Sequence, residues 1–427
     1  MGSCAEEAAL RSTFRPPHPD QVSPEFALLL ACASACSGLG STARLRELAQ
    51  AQGLDWEIFL ALAEEHALRP LVYRQLEGFA EALPPPINQQ LQRAVQASAH
   101  NSLRLTLELL RIVHLLGERE IRVIAYKGPV LSQAAYDDLA ARECYDLDIL
   151  VPAVQVPAAK AGLVEAGYRP TPTLTPQQEA ALLHSNCEYA LVDIDRQACV
   201  ELHWQIAPSQ FAIEFDVEGL WTRSQTIVLG NTEVRTFSDE DMLLVLSVHA
   251  AKHLWHSLGW LCDLAALMRK KRGLAWTTIL AEAQRLGALR ILLISLHLCQ
   301  KLLGTELPPA VSEKILADRE VTDVAKTVIA KMQTDSDIDF SSLRAHRLWL
   351  RTRSRWRDKS RYAWRLLFTP GVSEWSFLAL PAALTLLYPV IRLGRIAGKV
   401  LRGPEQRPAK RTPAPTPLDE PLPPAHS

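Results

Sequence analysis

The stretch Cys144–Val151, "CYDLDILV", sets two acidic residues, Asp146 and Asp148, two positions apart in an apolar run. Burying one carboxylate is costly, and two on one side cost more unless a cation sits between them. On a strand, residues i and i+2 share a face, so Asp146 and Asp148 project together while Leu147 and Ile149 pack on the other side. Carboxylates held this way suit Mg²⁺, which takes oxygen ligands and often carries substrate phosphates as well. Two solvated aspartates at a strand edge would give the same short pattern, so the neighbouring sequence has to decide.

Upstream, "IRVIAY" (121–126) is a short apolar run with β-branched residues, and it reads as a strand. Lys127 and Gly128 follow at a strand-to-helix junction, with a helix opening at Pro129. Glycine lets the backbone approach a ligand closely, outward amides at a helix start attract phosphate, and Lys127 adds a formal charge. Arg142, four residues before Asp146, offers a further cation. Downstream, "VELHW" places Glu201 in a strand-like run with His203 on the same face. A third carboxylate from a neighbouring strand would complete a site for two metal ions.

Around this centre the texture is helical. Pro24 to about Phe79 and Pro85 to Glu118 show apolar residues at helical spacing. "VPAAKAGLVEAGYRP" reads as a helix ending at Gly167. "CEYALVDID" and "ACVELHWQI" read as a hairpin pair, and "SQTIVLGNTEVRTFS" as another with Gly230-Asn231 at its turn. Helices resume from Asp239 to about Trp364. The class is therefore α+β, a small mixed sheet between helical regions. The expected division is a flexible N-terminus (1–23), an N-terminal helical region (24–118), a catalytic core (119–238), a C-terminal helical domain (239–401) and a disordered Pro-rich tail (402–427).

Composition narrows the function classes. The 427 residues carry 46 Lys and Arg against 47 Asp and Glu, which gives no general reason to expect nucleic acid as a partner. Eight cysteines stand apart without a Cys-x-x-Cys pair, so reduced thiols in a cytoplasm are the simpler reading. The N-terminus shows no secretory pattern. Trp375–Ile391 is uncharged but contains Pro381 and Pro389, and it reads as a buried terminal helix ahead of a membrane-surface one.

The segments "KGPVLSQAAYDDLAARECYDLDILV", "VELHWQI" and "HAAKHLWHSLGWLCDLAAL" resemble the bacterial uncharacterised nucleotidyltransferase family. More widely, the arrangement resembles the superfamily of DNA polymerase beta and the kanamycin nucleotidyltransferases. The likeness covers roughly 112–268, with a weaker echo in "LPAALTLLYPVIRL". It implies that Asp146, Asp148 and Glu201 are acidic metal ligands and catalytic groups. It also implies two Mg²⁺ ions, or Mn²⁺ in their place, and transfer of a nucleoside monophosphate from a nucleoside triphosphate such as ATP to an acceptor hydroxyl. Lys127 and Gly128 stand where the superfamily has a Gly-Ser phosphate-binding turn, with the serine hydroxyl absent. Substrate contacts are expected from Lys127, Gly128, Arg142, His203, Lys252 and His253. The acceptor and the oligomeric state are not read from the sequence. A non-catalytic member that binds nucleotide or a partner protein stays open as the alternative.

Two further segments carry charge or imidazole. In "VHAAKHLWHSLGWLCDL", His249, His253 and His256 fall at i, i+4 and i+7 of an expected helix, with Lys252 beside them. Zinc is disfavoured, because the glutamate of the HExxH pattern is missing. Asp263 reads as a cap or ion-pair partner. "LRAHRLWLRTRSRWRDKSRYAWR" (343–365) reads first as a helix buried on its Trp side and solvated on its Arg side. Contact with anionic lipid through 343–401 ranks second and nucleic acid third.

Overall fold

The computed structural model describes residues 22–78, 83–333, 342–369 and 387–402. The expectations for 1–21, 375–386 and 403–427 lie outside the described residues.

Four short helices open the chain: α1 (Pro24–Ala33), α2 (Thr42–Ala49), α3 (Trp56–Glu65) and α4 (Arg69–Leu76). Their starts are chemically marked, since Ser23, Ser41 and Asp55 accept first-turn backbone N–H groups at α1, α2 and α3. The 33-residue α5 (Pro85–Gly117) follows as one helix. Leu105, Leu109, Ile112 and Leu116, spaced by four and three residues, form its buried stripe against the sheet.

The five-stranded sheet contains β1 (Ile124–Ala125), β2 (Leu147–Leu150), β3 (Arg169–Thr171), β4 (Glu188–Asp193) and β5 (Ala198–His203) in the order β1-β2-β5-β4-β3. Between these strands lie α6 (Gly128–Tyr136), α7 (Val156–Glu165) and α8 (Pro176–Ser185). β4 and β5 form the expected antiparallel hairpin, and β2 runs parallel to β5. After α9 (Val217–Arg223), β6 (Gln225–Leu229) and β7 (Thr232–Thr236) make a separate hairpin. Its turn is Gly230-Asn231, with Gly230 at φ 60°, where a side chain is strained. Helices then continue as α10 (Asp239–Lys252), α11 (Leu258–Lys270), α12 (Trp276–Arg285), α13 (Leu289–Leu303), α14 (Pro309–Ala317), α15 (Arg319–Met332), α16 (Leu343–Arg351), α17 (Trp356–Phe368) and α18 (Tyr388–Arg402). The molecule is an α+β fold with helices around a small mixed sheet.

Two apolar clusters hold it together. Leu147, Ile149, Val200 and Leu202 point from one face of the sheet into a cluster shared with α5. The other cluster joins the first helices to the later block, with Phe26, Leu29 and Val72 in the same core as Leu264 and Leu292. The helices on either side of the sheet in sequence are thus one packed body in space.

Two details differ from the sequence reading. The stretch holding His249, His253 and His256 is not one helix: α10 ends at Lys252, and Leu254 and Trp255 take left-handed φ values of 53° and 52°. Ser257 then caps α11 by accepting the Gly259 N–H at 3.2 Å. The break lets the Trp255 ring bury and donate from Nε1 to Ser295 Oγ at 2.8 Å. In the basic segment, Trp349 is buried, but Trp356 and Trp364 are 81% and 64% exposed, so the tryptophans do not form one buried side.

Candidate functional site

The parallel register of β2 and β5 sets Asp148 directly beside Glu201 and Leu150 beside His203. Residues abreast on paired strands share a face, so Asp148, Glu201 and His203 stand on the side opposite the apolar cluster. β4 adds Glu188 to that face by pairing it with His203. Asp148, Glu201 and His203 each bring one ligand atom within 4.8 Å of the others, and Cys187, Glu188 and His203 form a second such group. Asp146, one residue before β2, lines the adjoining cavity with Glu201.

Electrostatics explain why so many acids are tolerated. Asp148 is only 2% exposed, and the Lys127 ammonium pairs with its Oδ1. His203 Nε2 lies 3.1 Å from the same oxygen and 3.4 Å from Glu201 Oε2, while its Nδ1 is 3.6 Å from Glu188 Oε2. Burial alone would raise the Asp148 pKa, but Lys127 and His203 outweigh it and hold the carboxyl well below the usual range. Burial likewise opposes charge on Lys127 and His203, yet the surrounding carboxylates keep both pKa values raised. Asp146 has weaker compensation: burial, then repulsion from Asp148, push it up to about 6. Asp148 Oδ2 is buried with no hydrogen-bond partner among the described residues. A hard cation would satisfy that oxygen, and the carboxylates of Asp148 and Glu201 suit one; Asp146 belongs to neither of the two groups whose ligand atoms converge.

The strand-to-helix junction sits against this centre. Gly128 opens α6 at φ 53°, and a Cβ there would lie 3.1 Å from the Asp146 carbonyl oxygen. Glycine is therefore favoured by both backbone angle and close approach. Arg142 does not extend freely toward the carboxylates. Its guanidinium grips Asp263 on α11, with Nε–Oδ1 and Nη2–Oδ2 both 3.2 Å, and donates from Nη1 to the Gly128 carbonyl at 3.2 Å. Tyr136 also donates to Asp263, at 2.9 Å. Asp263 is thus the expected ion-pair partner, and this buried group ties the junction to the helical wall.

A cavity of about 480 Å³ opens between the carboxylates and that wall, lined among others by Lys127, Asp146, Glu201, Lys252, His253 and Trp260. Lys252 faces the sheet, with Nζ 3.1 Å from Glu188 Oε2. Burial works against the Lys252 charge, but Cys187 and Glu188 raise its pKa. Glu188 is held down to about 2 by His203 and Lys252 despite its own burial. His253 behaves differently: burial, then the nearby lysines, push it down to about 4, so at neutral pH it offers a hydrogen bond rather than a charge. The His249 and His253 rings lie 4.9 Å apart, and each sits against Trp260, at 5.3 and 5.2 Å. His256 has left this pair and lies 3.6 Å from Glu65.

Glu188 and Trp260 escaped the sequence reading. Glu188 opens the alternating "EYALVD", but only strand register shows that it meets His203. Trp260 became visible once the break after Lys252 turned α11 back toward the cavity.

The arrangement suits a hard cation held against an anionic ligand, with fixed lysines on two walls. Residues 52–304 match the model of the uncharacterised nucleotidyltransferase family, and the chain belongs to that family. Membership supports a role in nucleotidyl transfer in general. No curated protein and no solved structure matches the chain.

Proposed function

We propose that the protein is a metal-dependent nucleotidyltransferase acting from the cavity between the sheet and α10–α11. Residues 119–238 would form its catalytic core, with the helices of 239–401 as the closing wall. The observation that carries this reading is the Asp148–Glu201 pairing across β2 and β5, with a buried, unpartnered Asp148 oxygen and with Glu201, Lys127 and Lys252 lining the cavity.

Asp146, Asp148 and Glu201 would hold the divalent ions, which supply charge neutralisation for the pyrophosphate and acidify the acceptor hydroxyl. The chain's own groups do the rest. Lys127 and the Gly128 amide meet the phosphates at the start of α6, and Lys252 meets them from the opposite wall. Neutral His253 donates a hydrogen bond. His203 lies beneath the surface and fixes the Asp148 and Glu201 carboxylates instead of touching substrate. The acceptor oxygen forms a bond to the α-phosphorus as the bond to the bridging oxygen of pyrophosphate breaks. Glu201 takes the hydroxyl proton. The acceptor is a hydroxyl-bearing small molecule, peptide or protein.

Seven cysteines are free among the described residues, which supports a reducing, cytoplasmic setting. Pyrophosphate release from each of the common nucleoside triphosphates, with Mg²⁺ and then with chelator, tests the reading. Metal-dependent release is expected. Nucleotide binding with no release under any acceptor would favour the non-catalytic alternative.

A further inference from the structure

The C-terminal helices carry a charge imbalance that the rest of the chain does not share. Residues 342–369 and 387–402 contain 13 Lys and Arg but one acid, Asp358, whereas the whole chain is balanced at 46 against 47. Asp358 is itself buried; Glu320 pairs with Arg351 and Glu214 with Arg361 and Arg365, while the segments supply no other acid of their own. The same helices expose large apolar groups. Trp356 and Trp364 on α17 are joined by Leu387, Val390 and Leu393 at and within α18. α18 lies against α17, where Arg392 Nε donates to the Leu366 carbonyl at 2.6 Å.

The base beneath is fixed. Trp349 and Tyr362 are buried around Phe211, with Phe211–Trp349 ring centres 4.3 Å apart, and Arg361 and Arg365 both bind Glu214, at 3.1 and 2.5 Å. Buried Arg353 donates to the Phe211 carbonyl at 2.5 Å. The exposed tryptophans therefore stand on a rigid support, and their exposure is not the fraying of a loose end. No helix among the described residues is long and apolar enough to cross a membrane.

We propose that α17 and α18 form a docking surface for an anionic bilayer. Tryptophan rings and aliphatic side chains enter the headgroup boundary, while lysine and arginine meet lipid phosphates. Charge complementarity selects an anionic partner. The exposed aliphatics select lipid over nucleic acid, because Val390 and Leu393 contribute nothing to phosphate contact or base stacking. This surface is separate from the carboxylate cavity and does not depend on the proposed reaction.

The test is co-sedimentation of the full chain with vesicles of phosphatidylcholine alone, and with phosphatidylglycerol added. Binding is expected only with phosphatidylglycerol, weakening as salt rises, with a blue shift of tryptophan fluorescence. Arg357→Gln with Lys359→Gln should lower vesicle affinity about tenfold or more, since each cation near an anionic surface contributes roughly fivefold. Trp356→Ser with Trp364→Ser should abolish the blue shift. Both changes lie on exposed or rim positions, and an unchanged thermal midpoint shows that the fold is kept. Failure of the folded wild type to bind phosphatidylglycerol vesicles overturns the proposal. Equal binding to both vesicle types does so too. Retention of a single-stranded oligonucleotide without vesicle binding would replace lipid with nucleic acid. A dimer lost in the tryptophan variant, again without vesicle binding, would assign the surface to a second copy of the chain.

Discussion

The two faces of the central sheet are built from the same strands and have opposite character, one apolar and one charged. One face carries Leu147, Ile149, Val200 and Leu202 into a closed apolar cluster. The other carries Asp148, Glu201, His203 and Glu188, of which Glu188 and Glu201 line a cavity with Lys127 and Lys252 while Asp148 and His203 are buried behind them. Alternation along β2 and β5 puts apolar packing and the proposed chemistry on adjacent residues. A substitution should therefore move one property or the other according to the parity of its position.

The largest effect is expected at Asp146. Asp146→Asn removes a proposed metal ligand and should lower transfer by on the order of 10²–10³-fold, comparable with loss of one preorganised electrostatic group. It should leave the fold intact, because the ionised Asp146 is repelled by Asp148. The sign can be checked without metal. The folded pKa of about 6 lies above the ordinary aspartate value, so the folded state holds the extra proton. Stability from this group is present at low pH and is lost as pH rises through about 6. Denaturation midpoints followed against pH should show that fall in the wild type relative to Asp146→Asn. Asp148→Asn is a poorer probe of the same idea, because it strips the partner from buried Lys127 and His203.

On the other face, Ile149→Ala should cost about 2–5 kcal/mol in chemical denaturation by opening a cavity under the sheet. Activity per folded molecule should stay close to wild type. A catalytic collapse in the folded fraction would break the division between faces. Lys252→Ala tests the opposite wall, where loss of a charged contact worth roughly 1.5–3 kcal/mol should weaken triphosphate binding about 10–100-fold. A silent mutant would reduce Lys252 to a structural partner of Glu188. The smallest effect is expected at Gly128. Gly128→Ala places a side chain in left-handed backbone at a cost of about 1–2 kcal/mol and crowds the Asp146 carbonyl, measurable as a lowered thermal midpoint.

How much of this was legible follows from the same geometry. The shared face of Glu201 and His203 needed only i and i+2 spacing, and the Gly230-Asn231 turn declared its hairpin. The adjacency of β2 to β5 was harder, because β3 and β4 intervene in the chain and no local pattern fixes a parallel register. Glu188 depended on that register. The Lys127-Gly128 strand-to-helix junction was readable, but the burial of Lys127 against Asp148 depends on how β1 and α6 meet β2. Helical spacing also projected His256 onto a face it never joins, since the left-handed residues Leu254 and Trp255 end the pattern without a glycine or proline to signal it.

The central claim is that Asp146, Asp148 and Glu201 converge on a divalent ion in front of a bound triphosphate. Anomalous diffraction from crystals holding Mn²⁺ and a non-hydrolysable nucleoside triphosphate tests it most directly. A manganese peak contacting carboxylate oxygens of all three residues at about 2.0–2.2 Å, near the hard-cation distance, is expected, with the phosphates between Lys127 and Lys252. Nucleotide bound with Mn²⁺ held only by its phosphates, and the Lys127–Asp148 pair still closed, would contradict it.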